Sequence, residues 1–340
     1  MNVFVTGGAG YIGSHTAVQL LEQGHQVVIA DNFCNSSPIV VDRIGSLAGK
    51  KPKLYTCDLC DLAKLNAIFD AEKIDAVIHF AGLKAVGESV EKPLAYYRNN
   101  LISTLNLLSA MRDHRVTQLI FSSSATVYGA PKTVPIPEDA PLSTTNPYGA
   151  TKLMIENIIT DVCHADPHFN AVILRYFNPV GAHPSGQIGE DPVGIPNNLT
   201  PYVAQVAVGK LDKIYVNGND YDTPDGTGVR DYIHITDLAA GHLAALQLFG
   251  EQGTPGLHVY NLGSGKGYSV LEVIHAFSEV VGRPLPYEFA PRRPGDIAAC
   301  YADPGKAAQD LGWKTTHSLL DMCRDSYRWQ TQNPGGYQEN

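Results

Sequence analysis

Residues 2–6 (NVFVT) are a short β-rich run that stops at Gly7-Gly8-Ala9-Gly10-Tyr11-Ile12-Gly13, and an apolar-periodic helix is expected from about residue 12 to residue 23. This strand, glycine turn and helix constrain everything that follows. The glycines read as G-x-G-x-x-G from Gly8 or as G-x-x-G-x-x-G from Gly7. Either way they allow a tight turn, let backbone N–H groups approach a pyrophosphate, and aim the positive end of a helix at it. A second strand, residues 26–30, ends at Asp31, about twenty residues on, where a carboxylate can take the adenosine 2′-hydroxyl. A carboxylate there repels a 2′-phosphate, so NAD is expected over NADP. A glycine match alone is only a turn; here strand, helix, second strand and acid stand in register.

The rhythm continues. Residues 53–57 read as a strand with Asp58 at its end, 61–71 as a helix, and 75–80 as a buried strand ending in Ala81-Gly82. Residues 93–112 read as a long helix carrying Asn99 and Asn100, and 118–123 as a buried strand running into Ser124. Strands alternating with helices imply a parallel sheet with right-handed crossovers, whose ligands collect at the carboxyl ends of the strands. That rule selects residues 7–13, Asp31, Asp58, 80–84 and 122–124. After residue 152 the alternation loosens. Residues 171–175 are one more core strand, and residues 181–198 and 217–230 are too long and too rich in glycine, proline and asparagine for simple connectors, so they read as binding loops. Helices are expected at about 200–209, 236–249, 269–281 and 318–332. The fold class is therefore α/β: a Rossmann doubly wound parallel sheet in residues 1–178, then a smaller mixed α/β substrate lobe in 179–340, with some segments crossing back.

Tyr148 and Lys152 stand four residues apart in a stretch, 151–159, that reads as an amphipathic helix with Asn146-Pro147 at its start. On a helix the two side chains lie one above the other. A lysine ammonium beside a phenol favours the phenolate, and a cationic nicotinamide would push the same way, so the pair could make a tyrosine base for a sugar or alcohol hydroxyl. Alone, the pattern is weak, since a surface lysine over a half-buried tyrosine looks the same. The sheet rule brings Ser124 and Tyr148 toward one pocket.

At 340 residues and 44% hydrophobic composition the chain can bury a large core. A net charge of -9 argues against nucleic acid or an anionic membrane as the main partner. No apolar run approaches the ~20 residues of a membrane span, and residues 1–14 lack a signal-peptide pattern, so a cytoplasmic protein is expected. Six cysteines do not suggest a disulfide scaffold, and Cys57-x-x-Cys60 has no second pair to complete a zinc site, so no metal is expected.

Across essentially the whole chain, the motifs resemble the extended short-chain dehydrogenase/reductase family and, within it, the UDP-glucose 4-epimerases (UDP-galactose 4-epimerases). They are VTGGAGYIGSHT at 5–16, HFAGLKAVGESV at 79–90, FSSSATVYG at 121–129, PYGATK at 147–152, LRYFNPVGAHPSG at 174–186, GIPNNL at 194–199 and DGTGVRDYIH at 225–234. The resemblance implies a redox-neutral reaction on tightly held NAD. Tyr148 would take the proton from the sugar 4-hydroxyl, Lys152 would lower its pKa and hold the nicotinamide ribose, and Ser124 would hydrogen-bond the 4-oxygen. The C4 hydride would pass to the nicotinamide, the 4-ketose would swing about its bond to the diphosphate, and the hydride would return to the other face. A homodimer through helices 93–112 and 148–161 is implied too.

By the same resemblance, NAD contacts fall on Gly7, Gly10, Tyr11, Ile12, Gly13, Asp31, Asn32, Phe33, Cys34, Asn35, Ser36, Asp58, Leu59, Phe80, Ala81, Gly82, Leu83, Lys84, Asn99, Ser124, Tyr148, Lys152 and Phe177. UDP-sugar contacts fall on Lys84, Ser124, Tyr148, Asn178, Asn198, Leu199, Tyr215, Val216, Asn217, Arg230, Tyr232, Arg293, Asp296 and Cys300. Fixed guanidinium donors suit a diphosphate. Tyr215-Val216-Asn217 departs from the family pattern on the uracil side. Cys300 falls where 4-epimerases carry either a bulky tyrosine or a small residue. A small one leaves room for a 2-acetamido group, so UDP-N-acetylglucosamine and UDP-N-acetylgalactosamine are expected to be interconverted as well. A shift of one residue would put Tyr301 there instead.

Three rival readings are open to test. A nucleotide-sugar 4,6-dehydratase on this fold needs an acidic pair just after the serine, where this chain has Ala125 and Thr126. A catalytically silent NAD-binding regulator would be expected to lose the tyrosine or the lysine. A net-oxidising dehydrogenase would need free exchange of reduced cofactor.

Overall fold

A computed structural model describes residues 1–250, 253–293 and 295–337. The last three residues of the expected second lobe, 338–340, lie outside the described residues. In the first half, strands β1 (Asn2–Thr6), β2 (Gln26–Asp31), β3 (Lys53–Thr56), β4 (Ala76–His79), β5 (Gln118–Ser124) and β6 (Asn170–Tyr176) are joined by helices α1 (Tyr11–Glu22), α2 (Ile39–Ala48), α3 (Leu62–Ala71), α4 (Val86–Glu91), α5 (Pro93–Asp113) and α6 (Pro147–Ala165). The second half adds β7 (Asn178–Val180), α7 (Leu199–Ala207), β8 (Ile214–Asn217), β9 (Val229–His234), α8 (Ile235–Leu246), β10 (Leu257–Leu262), β11 (Gly267–Ser269), α9 (Val270–Val281), β12 (Tyr287–Ala290), β13 (Ala299–Cys300), α10 (Gly305–Asp310) and α11 (Leu319–Gln332).

The central sheet has seven parallel strands in the order β10-β6-β5-β4-β1-β2-β3. Strand order reverses between β1 and β4, which opens a crevice at the carboxyl edge. Burial on both faces explains the unbroken apolar runs: Val3 and Val5 pack toward α1, α2 and α8, while Phe4 between them packs toward α3, α5 and α6. The chain crosses back: β10 lies parallel to β6, and α8 packs on α1. Helix α8 and strand β10 thus build onto the sheet of the first lobe.

Local chemistry sets most helix starts. Asp61 accepts from the Lys64 N–H at the start of α3, and Ser269 and Ser318 open α9 and α11 with full capping boxes. Helix α2 has no counterpart among the helices expected from the sequence: it opens after Pro38 with no side-chain cap and ends on Gly49 at φ 66. Strands of the second lobe are short. β9 is their hub, flanked by β11, β13 and β7, while β8 pairs with β12. Under them α7, α9 and α11 close a separate apolar cluster. Among the described residues no helix is long and apolar enough to cross a membrane.

Candidate active site

The glycine turn sits at the switch point. Gly7 adopts φ 67, and a Cβ on it would lie 2.8 Å from the Ala81 nitrogen. A Cβ on Gly13 would come within 2.4 Å of the Gly7 carbonyl oxygen, so only glycine lets α1 approach β1 this closely. Gly10 caps α1 with no side-chain bond, leaving the first-turn N–H groups of Tyr11 and Ile12 available to an anion. Asp31, at the end of β2, accepts from Ala9 N at 3.0 Å, Phe33 N at 2.9 Å and Ser36 Oγ at 2.8 Å. Asn32, Cys34 and Asn35 continue this loop on the surface. Asp58 faces it across the β3 end, where Asn32 Nδ2 lies 3.5 Å from Asp58 Oδ2; Leu59 behind it is buried. Phe80, Ala81, Gly82 and Leu83 line the end of β4. This donor set, an uncapped helix start beside a carboxylate, fits a dinucleotide such as NAD.

The end of β5 carries the reacting candidates. Ser124 leaves the strand extended, and its Oγ accepts from Thr126 N at 3.2 Å and Thr126 Oγ1 at 3.0 Å. Asn146 caps α6 by accepting from Gly149 N at 2.8 Å, and Pro147 fills the first turn, as the sequence suggests. Tyr148 and Lys152 then project from one face. Lys152 Nζ donates to the Ser122 carbonyl at 2.6 Å and lies 5.9 Å from the Tyr148 ring centre. The expectation of a lowered tyrosine is corrected here. Burial pushes the Tyr148 phenol up to about 12, only partly offset by the Ser124 hydroxyl. Burial likewise pulls Lys152 down to about 8, against the pull of Glu156. In the chain by itself, desolvation outweighs the Ser124 hydroxyl at Tyr148 and the Glu156 charge at Lys152.

Several supporting residues carry roles that the sequence does not assign. Asn100, buried behind Asn99, donates to Leu83 O and Thr151 Oγ1 at 3.0 Å each and so ties the β4 loop to α6. Glu156, one turn past Lys152, pairs with Arg175 through Oε1 (3.1 Å to Nε) and Oε2 (2.7 Å to Nη2) and also takes the Ser123 hydroxyl. Arg175 reaches on to Tyr128 Oη at 2.9 Å, and Tyr128 donates to Asn261 at 2.6 Å. A buried, ion-paired scaffold thus underlies Ser124, Tyr148 and Lys152. Its only sequence signal was the polar residues inside apolar runs.

The second lobe faces this floor. Asn178 pairs in register with Tyr232, which is buried, and Phe177 lies beneath. Asn198 stands at the N-terminus of α7 but caps nothing; its Nδ2 donates to Glu190 at 3.2 Å, and Lys84 reaches the same carboxylate at 3.3 Å. Leu199 begins the helix. Arg230 lies 4.0 Å from Asp296, which also accepts from Arg293 at 3.1 Å, so two guanidinium groups gather around one carboxylate. Val216 is fully buried in the apolar cluster of this lobe, so it can offer a ligand little beyond backbone, while Tyr215 is 49% exposed beneath Lys213. Asn217 ends β8 half-buried. Cys300 pairs in register with Arg230 and packs on the cluster holding Val127, Tyr128 and Phe177. Tyr301 turns the other way, against Gly267.

A family model described as GDP-mannose 4,6 dehydratase matches residues 4–326. The chain is 58% identical to the UDP-glucose 4-epimerase of Bacillus subtilis (strain 168), covering 99% of each, and 59% identical to that of Yersinia pestis, again over 99% of each. Among solved structures it is similar to the UDP-glucose 4-epimerase from Bifidobacterium longum in complex with NAD+ and UDP, at 57% identity and a TM-score of 0.96, covering 99% of this chain and 100% of that one. Matches of this length and identity, on top of the glycine cradle and the Ser–Tyr–Lys floor, show that the chain belongs to the UDP-glucose 4-epimerase family of extended short-chain dehydrogenases/reductases.

Proposed function

We propose that this chain is an NAD-dependent UDP-glucose 4-epimerase that interconverts UDP-glucose and UDP-galactose. The observation that carries this is the convergence of Ser124, Tyr148 and Lys152 at the carboxyl edge, between the glycine cradle and the arginines of the second lobe. Bound NAD supplies a reversible acceptor for the hydride at sugar C4, so the reaction is redox-neutral. Tyr148 takes the proton of the 4-hydroxyl, and Ser124 holds the 4-oxygen. With its pKa near 8, Lys152 is mostly charged at neutral pH and favours the phenolate in that step. Arg230 and Arg293 grip the diphosphate while the 4-keto hexose turns about its bond to it. The first turns of α1 and Asp31 hold the dinucleotide. Thr126, where a dehydratase would place an acid, spends its hydroxyl on Ser124.

Turnover of the N-acetylated pair is supported as well: Cys300, not Tyr301, packs on the cluster holding Tyr128 and Phe177, and a thiol occupies far less space there than a phenol. We read the enzyme as a cytoplasmic homodimer. Leu94, Ile102 and Leu105 on α5 and Met154 on α6 lie exposed at helical spacing. Sedimentation at the single-chain mass of 36.7 kDa would overturn the dimer.

The deciding experiment follows UDP-galactose by proton NMR with purified protein and no added cofactor. UDP-glucose should accumulate. No product even after adding NAD would overturn the proposed activity.

A further inference from the structure

Glu190 lies in the loop between β7 and α7, and its carboxylate ties the two lobes together across the crevice. Oε1 accepts from Lys84 Nζ at 3.3 Å, in the loop that follows β4 of the first lobe. It also accepts from Asn198 Nδ2 at 3.2 Å, at the start of α7 in the second lobe. The carboxylate is the fixed member of the ion pair, since the Glu190 side chain is 12% exposed and that of Lys84 53%. The chain around it explains why. The Glu190 carbonyl oxygen accepts from Trp329 Nε1 at 3.0 Å. On one side the Tyr337 hydroxyl accepts from Gly189 N at 2.9 Å and donates to Gly189 O at 3.0 Å. On the other, the Asp191 carboxylate accepts from Tyr337 N at 2.8 Å. A Cβ on Gly189 would lie 2.4 Å from the Trp329 ring, so only glycine lets the loop sit this close to α11. Three consecutive residues, 189–191, are thus held by α11 and the chain just after it.

An ammonium on a four-carbon stem and an amide at a helix start both lose rotamer freedom when a ligand binds them, and side chains already held in place lose less. We propose that Glu190 is a positioning residue for the UDP-sugar: its carboxylate, set in place by Trp329 and Tyr337, holds Lys84 and Asn198, one from each lobe, where the ligand meets them. This rests on the reading of the crevice as the UDP-sugar site. A carboxylate repels a diphosphate, so Glu190 acts through its two donors and not by touching the ligand.

UDP titrated into the NAD-loaded protein by calorimetry reads the effect without turnover. Glu190→Ala should bind UDP about tenfold more weakly. Glu190→Gln keeps an acceptor for Asn198 but loses the charge that holds Lys84, and should lose about threefold. The Lys84→Met/Asn198→Ala protein should be weakened as well, and Glu190→Ala added to it should cost nothing further, because both donors it acts through are gone. Unchanged or tighter UDP binding by Glu190→Ala would overturn the proposal, the tighter case showing that repulsion outweighs positioning. So would the full tenfold loss in the Lys84→Met/Asn198→Ala background, which is what a mere loop-packing role gives. Should the Ala variant not fold, the Gln variant decides: its loss must vanish in a Lys84→Met background, and a loss that persists there refutes the proposal. Arg230→Ala serves as the control. Undiminished UDP affinity there would sink the reading of the crevice itself, whatever the Glu190 variants do.

Discussion

Replacing Glu156 by glutamine should destabilise the protein more than any surface charge change. Both side chains of the Glu156–Arg175 pair are only 5% exposed, and the carboxylate serves Arg175 Nε, Arg175 Nη2 and the Ser123 hydroxyl together. Glutamine keeps the shape, but it removes the charge and turns an NH2 group toward a guanidinium that can only donate. Breaking a buried pair from one side costs about 3–5 kcal/mol, because the other charge stays buried. Unfolding entropy of about 2.1 cal/mol/K per residue over 340 residues is about 0.7 kcal/mol/K, so the midpoint should drop by about 4–7 °C. Calorimetry with NAD held constant measures this. The double variant Glu156→Met/Arg175→Met should lose clearly less than the two single changes added together, since it leaves no orphaned charge. A drop of under about 2 °C for Glu156→Gln, or a double variant at the full sum, would refute the reasoning. There is a functional corollary. Glu156 holds the Lys152 pKa up against burial, so activity in the glutamine variant should fail at lower pH on the alkaline side.

Gly13→Ala drives a methyl to 2.4 Å from the Gly7 oxygen and should yield folded protein stripped of NAD, seen in the ratio of absorbance at the nucleotide and protein bands. Lys152 holds its proton less tightly folded, at about 8, than unfolded, at 10.5, so the unfolded state binds more protons between those values and stability rises with pH there. Compared with Lys152→Met, wild type should therefore gain in melting temperature from pH 8 to pH 10; a flat difference would contradict this. Cys300→Tyr should abolish turnover of UDP-N-acetylgalactosamine and spare UDP-galactose, and loss of both would discard the steric argument.

The first lobe was legible because its strands are buried on both faces. β1, β4, β5 and β6 read as unbroken apolar runs, and the glycine turn and Asp31 carry their chemistry at fixed spacing. The second lobe was less so. Its strands run from two to six residues, and three of them are ordered by pairing to β9 rather than by patterns of their own. The pairings of the scaffold under the site could not be read, since Tyr128 meets Asn261 across 133 residues and Tyr176 meets His242 across 66. The choice between Cys300 and Tyr301 depended on which face of a two-residue strand looks inward. The tyrosine pKa was misjudged because spacing shows a neighbouring charge but not the depth of burial around it.

The strand that completes the central sheet arrives late. Gly256, at the head of β10, bonds to Asn170, at the head of β6, across 86 residues, so this pairing waits for a long loop to close. A chain growing from the ribosome keeps the outer edge of β6 open until residue 262 of 340 has emerged, roughly three-quarters of synthesis. Through that interval a seven-residue strand presents unpaired N–H and C=O groups to any neighbouring chain. A fragment ending near residue 178 would keep that edge for good, and the more fully its other strands formed, the better a template for aggregation it would be.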